Sequence, residues 1–99
     1  MKPRPLSVSR EAEAETLEAA EWYEGQSQGL GHAFVELVDQ ALNDIAANPR
    51  QFPQVYRDIQ RALLKRFPFG IFFRLRSDGI RVLAVMHLSR DPQRWRRRR

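Results

Sequence analysis

The stretch that decides the fold is Phe69–Leu88, FGIFFRLRSDGIRVLAVMHL. Two runs rich in aromatic and aliphatic residues flank Asp78-Gly79, a pair suited to the two-residue type I′ turn of a β-hairpin. With Asp78-Gly79 as the loop, Leu75 faces Val82, Phe73 faces Ala84, Ile71 faces Met86 and Phe69 faces Leu88. One sheet face is then apolar along its length and needs a covering layer. The other face pairs Arg76 with Arg81, Arg74 with Leu83, Phe72 with Val85 and Gly70 with His87. Opposed arginines repel, and Phe72, Leu83 and Val85 would form an apolar strip in water, so this face also asks for a cover. A partner, a second copy, a loop or the chain's own tail would each serve.

Working outward, Arg61–Phe67 reads as a further strand, with Arg61 and Lys65 on one face and Arg66 on the other. Residues 49–60, with Pro49 and Pro53, read as a connecting loop. Upstream, Leu30, Phe34, Leu37, Val38, Ala41, Leu42 and Ile45 recur every three or four positions, the mark of an amphipathic helix that Asn48-Pro49 ends. Arg10 to about Glu24 predicts an earlier helix with a weak apolar stripe of Ala12, Leu17, Ala20 and Tyr23 or Trp22, stopped by the glycines at 25 and 29. Ser9 is placed to cap that helix, ahead of Glu11 and Glu13, and Leu6 and Val8 read as a short first strand. Downstream, Asp91-Pro92 can start a short helix carrying Trp95 among six arginines from Arg90 onward. The predicted class is α+β: an N-terminal strand, an antiparallel two-helix hairpin packed on an antiparallel sheet with three C-terminal strands, and a short C-terminal helical segment. Ninety-nine residues suffice for one domain, spanning 1–99.

Charge is divided between the two halves. Residues 1–49 carry three cationic and nine acidic side chains, whereas residues 50–99 carry fourteen and three, so the halves stand at −6 and +11. Such asymmetry suits an anionic partner for the second half, although a basic run by itself more often marks a solvated surface. With no cysteine there is no disulfide framework and no thiolate chemistry, as suits a reducing cytoplasm. Met1 to Glu15, with Lys2, Arg4 and Arg10, holds no apolar run of signal-peptide length, and no segment approaches membrane-spanning length. The two histidines, His32 and His87, lack the spacing of a metal pair, so neither a metal nor a cofactor is expected.

Several ordered motifs extend over nearly the whole chain: Glu21-Trp22-Tyr23-Glu24, Gly29-Leu30-Gly31-x-x-Phe34, Asn48-Pro49 with Phe52-Pro53, Arg61 before Phe67-Pro68-Phe69-x-Ile71, and Val85-Met86-His87 followed by Arg90-x-Pro92-x-x-Trp95. In these the chain resembles the RelE/ParE toxins of bacterial type II toxin-antitoxin systems. The His-x-x-Arg-x-Pro-x-x-Trp ending places it nearer the ParE branch. The resemblance implies a cytoplasmic, growth-inhibiting toxin held inactive by a cognate antitoxin, in a toxin-antitoxin hetero-oligomer.

ParE toxins act on DNA gyrase; RelE toxins cleave messenger RNA on the ribosome. Cleavage by an adjoining 2′-hydroxyl needs proton transfer and cations on the developing phosphorane. His87, Arg81, Arg90 and Arg74 are the candidates if the chain is a nuclease, with Gly70 leaving room beside His87. Many RelE-like nucleases have a tyrosine near the C-terminus, where this chain has Trp95, whose indole cannot transfer protons. The gyrase reading is therefore preferred, and His87 is first a candidate for a hydrogen-bonded structural role. For target or antitoxin binding the candidates are Arg61, Lys65, Arg74, Arg76, Arg81, Phe72, Leu83, Val85 and Trp95; Trp95 is expected to dock the C-terminal segment on the sheet rather than stack a base. A plain nucleic-acid-binding module, with the arginine tail as phosphate clamp, is the remaining alternative.

Overall fold

A computed structural model describes residues 4–99; Met1 to Pro3, including the Lys2 counted among the N-terminal cations, lie outside the described residues. The elements run β1 Leu6–Val8, α1 Arg10–Gln26, α2 Leu30–Ala47, a 3-10 turn Pro49–Gln51, β2 Gln54–Tyr56, β3 Ile59–Leu63, β4 Phe69–Arg76, β5 Gly79–His87 and α3 Gln93–Arg96. One mixed sheet has the order β1-β5-β4-β3-β2. The β1 strand runs parallel to β5, and the other neighbours are antiparallel. The α1–α2 hairpin covers one face of this α+β arrangement and α3 lies on the other.

Local chemistry explains the helix boundaries. The Ser9 hydroxyl accepts from the Ala12 amide at 3.1 Å and donates to the Leu83 carbonyl at 3.2 Å, so one side chain caps α1 and ties it to β5. At the start of α2, Gly29 offers no side-chain cap. The Glu24 carboxylate supplies it, accepting from the Gly29 and Gly31 amides at 2.9 Å each. Those two bonds, Gly29 first, hold the Glu24 pKa below the ordinary carboxylate value. Gly31 is buried where the helices cross, and a β-carbon there would stand 2.4 Å from the Ala20 carbonyl oxygen. The Gly-Leu-Gly motif thus lets α2 begin with its backbone against α1.

The helix-side core contains Phe34, Val38, Ile45, Phe67, Phe69, Ile71, Phe73, Ile80 and Val82. Tyr23 lies against Phe34, Phe67 and Phe69, with ring centroids 5.5, 4.7 and 6.1 Å away. The α1 stripe differs from the expectation: Leu17 and Trp22 are each 61% exposed, and Ala12, Ala19, Ala20 and Tyr23 face the core. Small residues there allow the close helix crossing.

The stretch read as loop contains the 3-10 turn and β2, and the strand expected over Arg61–Phe67 is β3, Ile59–Leu63. Gln60 is polar yet buried within β3. Its buried amide nitrogen donates to the carbonyls of Pro49 at 2.7 Å and Phe52 at 2.9 Å, stapling that connection to β3.

The hairpin register also differs. Ser77-Asp78 forms the loop, with Arg76 opposite Gly79, Leu75 opposite Ile80 and Arg74 opposite Arg81. Gly79 has φ +150°, and a β-carbon on it would meet the Pro5 carbonyl oxygen at 2.7 Å, because the chain entering β1 passes there. Past Phe73 a β-bulge makes Leu83 an extra residue: Phe73 faces Val82, but Phe72 faces Ala84. Beyond it Ile71 faces Val85, Gly70 faces Met86 and Phe69 faces His87. The bulge exchanges the faces of β5, so Val85 enters the helix-side core, while Ala84 and Met86 join Phe72 and Leu83 in the outer layer. Leu88, expected opposite Phe69, is 45% exposed.

Candidate functional site

The outer sheet face is covered by the chain's own C-terminal segment. Phe72 and Leu83, expected to be an exposed strip, are 3% and 6% exposed. Asp91 Oδ1 accepts from the Gln93 amide at 3.0 Å and starts α3, which sets Trp95 over Phe72. The two rings stack with centroids 4.2 Å apart and planes inclined by 18°, amid Ile59, Leu83, Ala84 and Met86. Tyr56 meets the indole at 6.3 Å, and the Arg96 guanidinium lies 4.6 Å from the Tyr56 ring centroid.

Two carboxylates fasten the end of this segment. Glu15 Oε1, reaching from α1, accepts from Arg98 Nη1 at 2.9 Å and from the Val85 amide at 3.1 Å. Arg98 Nη1 also donates to the Leu83 carbonyl at 3.1 Å. Asp58 accepts from Arg74 on Oδ2, at 2.8 and 3.1 Å, and from Arg99 on Oδ1, at 3.0 and 3.1 Å. Partial burial raises the Asp58 pKa, but the hydrogen bonds from Arg99 and Arg74 outweigh it, and the net shift is downward. A carboxylate with a depressed folded pKa stabilises the fold above its unfolded pKa, and the contribution is lost as pH falls through the folded value. Asp58→Asn is therefore expected to cost about 1 kcal/mol or less at neutral pH, given the pair's exposure. Its deficit in Tm should shrink toward zero on acidification, as thermal melts across a pH series would show; a deficit independent of pH would contradict the ion-pair account.

The candidates divide by face and by end. Arg74 and Arg81 lie opposite each other on the outer face, where Arg74 is tied to Asp58 and Arg81 Nη1 donates to Ser7 Oγ at 3.2 Å. Arg76 is exposed at the hairpin tip, opposite Gly79 rather than Arg81. Arg61 sits half-buried opposite Phe72, and its Nε is buried without a hydrogen-bond partner. Gly70 makes room for these two: a β-carbon there would lie 3.1 Å from the Phe72 ring and 3.2 Å from Arg61 Cδ. It does not face His87. Lys65 is exposed beyond the end of β3, so it shares no strand with Arg61, and Arg66 has φ +69° with its guanidinium 5.7 Å from the Phe67 ring centroid.

His87 is opposite Phe69, two residues beyond Val85, and so belongs to the helix-side face. Its Nδ1 accepts from the Ser89 amide at 3.0 Å, and its ring meets Phe69 edge-on at 5.3 Å. Arg90 is exposed, with its amide on the His87 carbonyl. Arg81 lies six residues back along β5, roughly 20 Å in an extended strand. The four nuclease candidates are therefore not brought together. Glu15, Asp58, Tyr56, Arg98 and Arg99 are the tail's main anchors that sequence reasoning missed. A separation of seventy positions between Glu15 and Val85 leaves no local signal, whereas Asp58 in a basic stretch is the one clue that was present.

Among the described residues, no three His, Cys, Asp or Glu side chains form a metal-holding group, and no helix is long and apolar enough to cross a membrane. The family model described as ParE toxin of type II toxin-antitoxin system, parDE, matches residues 6–92. Among solved structures, a chain of "Chromosomal ParDE TA system from P. aeruginosa" superposes with a TM-score of 0.75 at 19% identity, covering 87% of this chain and 97% of that one. No curated protein matches in sequence.

Proposed function

The chain belongs to the ParE toxin family of type II toxin-antitoxin systems, and from that premise we propose that it acts on DNA gyrase in the cytoplasm. Family membership carries a cognate antitoxin as partner. The observation that favours gyrase over message cleavage is the dispersal of the proton-transfer and cationic groups. His87 and Arg81 occupy opposite faces of β5 and are separated along it, so they cannot attend one phosphate. General acid-base catalysis requires hydrogen-bond reach to the same reacting group. The outer face, where Arg74 and Arg81 lie, offers the Trp95 indole, which cannot transfer a proton, and a Tyr56 ring packed against that indole and under Arg96.

Within this reading Phe72, Leu83 and Trp95 act by holding the tail, and Val85 by filling the helix-side core. Of the candidates, the exposed cations Lys65, Arg76, Arg81 and Arg90, with half-buried Arg61, remain available to a target or an antitoxin. The test is a gyrase supercoiling assay run beside ribosomes translating an end-labelled message. Loss of supercoiling with intact message is the expected result. Site-dependent message cleavage without gyrase inhibition would overturn the proposal.

A further inference from the structure

Arginine dominates the cationic side chains, fifteen of seventeen, and around the tip of the β4–β5 hairpin Arg4, Arg50, Arg76 and Arg81 outnumber the carboxylates Asp58 and Asp78. Two open grooves meet there. One, of about 370 Å³, is bounded by Ser7, Arg76, Asp78 and Arg81 with the backbone entering β1. The other, of about 460 Å³, is bounded by Arg4, Arg50 and Arg76 with Gln54, Asp58 and Gln60. Arg76 is the wall common to both.

The acids present do not neutralise this end. Asp58 is engaged by Arg74 and Arg99, leaving Asp78 as the other carboxylate lining the grooves. Among the described residues none of Arg4, Arg50, Arg76 and Arg81 forms an ion pair, and residues 1–3 contain no acid. All four are exposed. Like charges gathered this way repel, and an anion between them relieves the repulsion. The planar guanidinium matches a phosphate through paired N–H donors, which a lysine cluster would not do.

We propose that this end of the sheet binds the phosphodiester backbone of duplex DNA, with one phosphate in each groove on either side of Arg76. An acidic protein segment fits less well. Protein interfaces draw most of their affinity from apolar or aromatic anchors, and none of the exposed large apolar residues, Leu17, Trp22, Leu63 and Leu88, borders either groove. A single strand fits less well again, because such sites stack bases on aromatic rings. Trp95 is buried on Phe72 and lines neither groove, and Phe52, the one aromatic ring among the lining residues, is half-buried and packed edge-on against Phe73. Backbone binding to a duplex requires neither apolar anchors nor aromatic platforms. The inference rests on charge placement and not on the gyrase reading, so either can fail alone.

The experiment is fluorescence anisotropy of the full chain with a labelled mixed-sequence duplex across a salt series. Two phosphates predict a slope of log affinity on log salt of about −1.8, from about −0.9 per neutralised phosphate. The triple variant Arg4→Gln, Arg50→Gln, Arg76→Gln should lose most of that slope and about tenfold or more in low-salt affinity. The tail variant Arg94→Gln, Arg97→Gln should keep at least half of the slope. These side chains are exposed and have no ion-pair partner, so the melting temperature should not fall; Arg76→Gln alone serves if the triple variant is poorly folded. Absence of duplex binding at low salt, unchanged binding by a folded variant, or loss confined to the tail variant would each overturn the proposal. Tighter binding of single-stranded RNA or of poly-glutamate than of the duplex would do so as well.

Discussion

Trp95→Ala is expected to destabilise the protein by about 3–5 kcal/mol, the range for removing a buried large aromatic side chain. The indole is 7% exposed and provides the main apolar contact between α3 and the sheet. A four-residue helix has no stability of its own, since nucleation is unfavourable and most helical stability comes from tertiary packing. Without the indole, α3 loses its hold, and Ile59, Phe72, Leu83, Ala84 and Met86 lose their cover. For a domain near 100 residues, each kcal/mol corresponds to roughly 4–8 °C in Tm. A fall of well over ten degrees should therefore appear in thermal melts, and Trp95→Phe should restore most of it through retained stacking. A loss below about 1 kcal/mol would show that the outer face does not need its cover.

Phe34→Ala, on the other face of the sheet, should cost a similar 3–5 kcal/mol. Phe34 is fully buried, with Tyr23, Phe67 and Phe69 around it at centroid distances of 5.5, 5.1 and 4.9 Å. Its removal leaves a cavity where α1, α2 and the β3–β4 connection meet, and the cost depends on how far these rings can collapse into it. Urea unfolding would measure it. Because Trp95 and Phe34 belong to separate side-chain clusters on opposite faces of one sheet, the two losses should add within about 0.5 kcal/mol in the double variant. A much smaller combined loss would mean that the layers are already coupled, for instance because the helix side loosens whenever the tail is removed.

The helices were legible because their information is local. Periodic apolar residues, the Ser9 cap and Asn48-Pro49 each act within a few positions. The parallel seat of β1 beside β5 was not, since it joins Leu6 to Ile80 across most of the chain. The hairpin shows the boundary between the two kinds of information. Its existence follows from Asp78-Gly79 between apolar runs, but its loop is Ser77-Asp78 because Gly79 is committed to the passing Pro5 backbone. The extra residue at Leu83 then reversed the facing of everything after it, which moved Val85 into the core and Met86 out of it. Alternation along β5 carries no mark of that bulge, because its residues are apolar on both faces. The demand for a cover over Phe72 and Leu83 was readable from strand alternation, which puts both on the face away from Phe73 and Val82. That Trp95 docks the tail there was expected from the sequence; that Glu15 and Asp58, distant along the chain, hold Arg98 and Arg99 was not.

Beside β1, the first half of β5 has a strand for a neighbour only as far as Val82. Further along β5, the Val85 amide is bonded by the Glu15 carboxylate instead. Its hydrogen exchange is thereby expected to be set by a side chain that also grips Arg98. Exchange at Val85 is expected to follow release of Glu15 and Arg98, a local opening that leaves the ladder between β4 and β5 intact. One amide proton becomes a reporter on whether the tail is seated, readable without disturbing either layer.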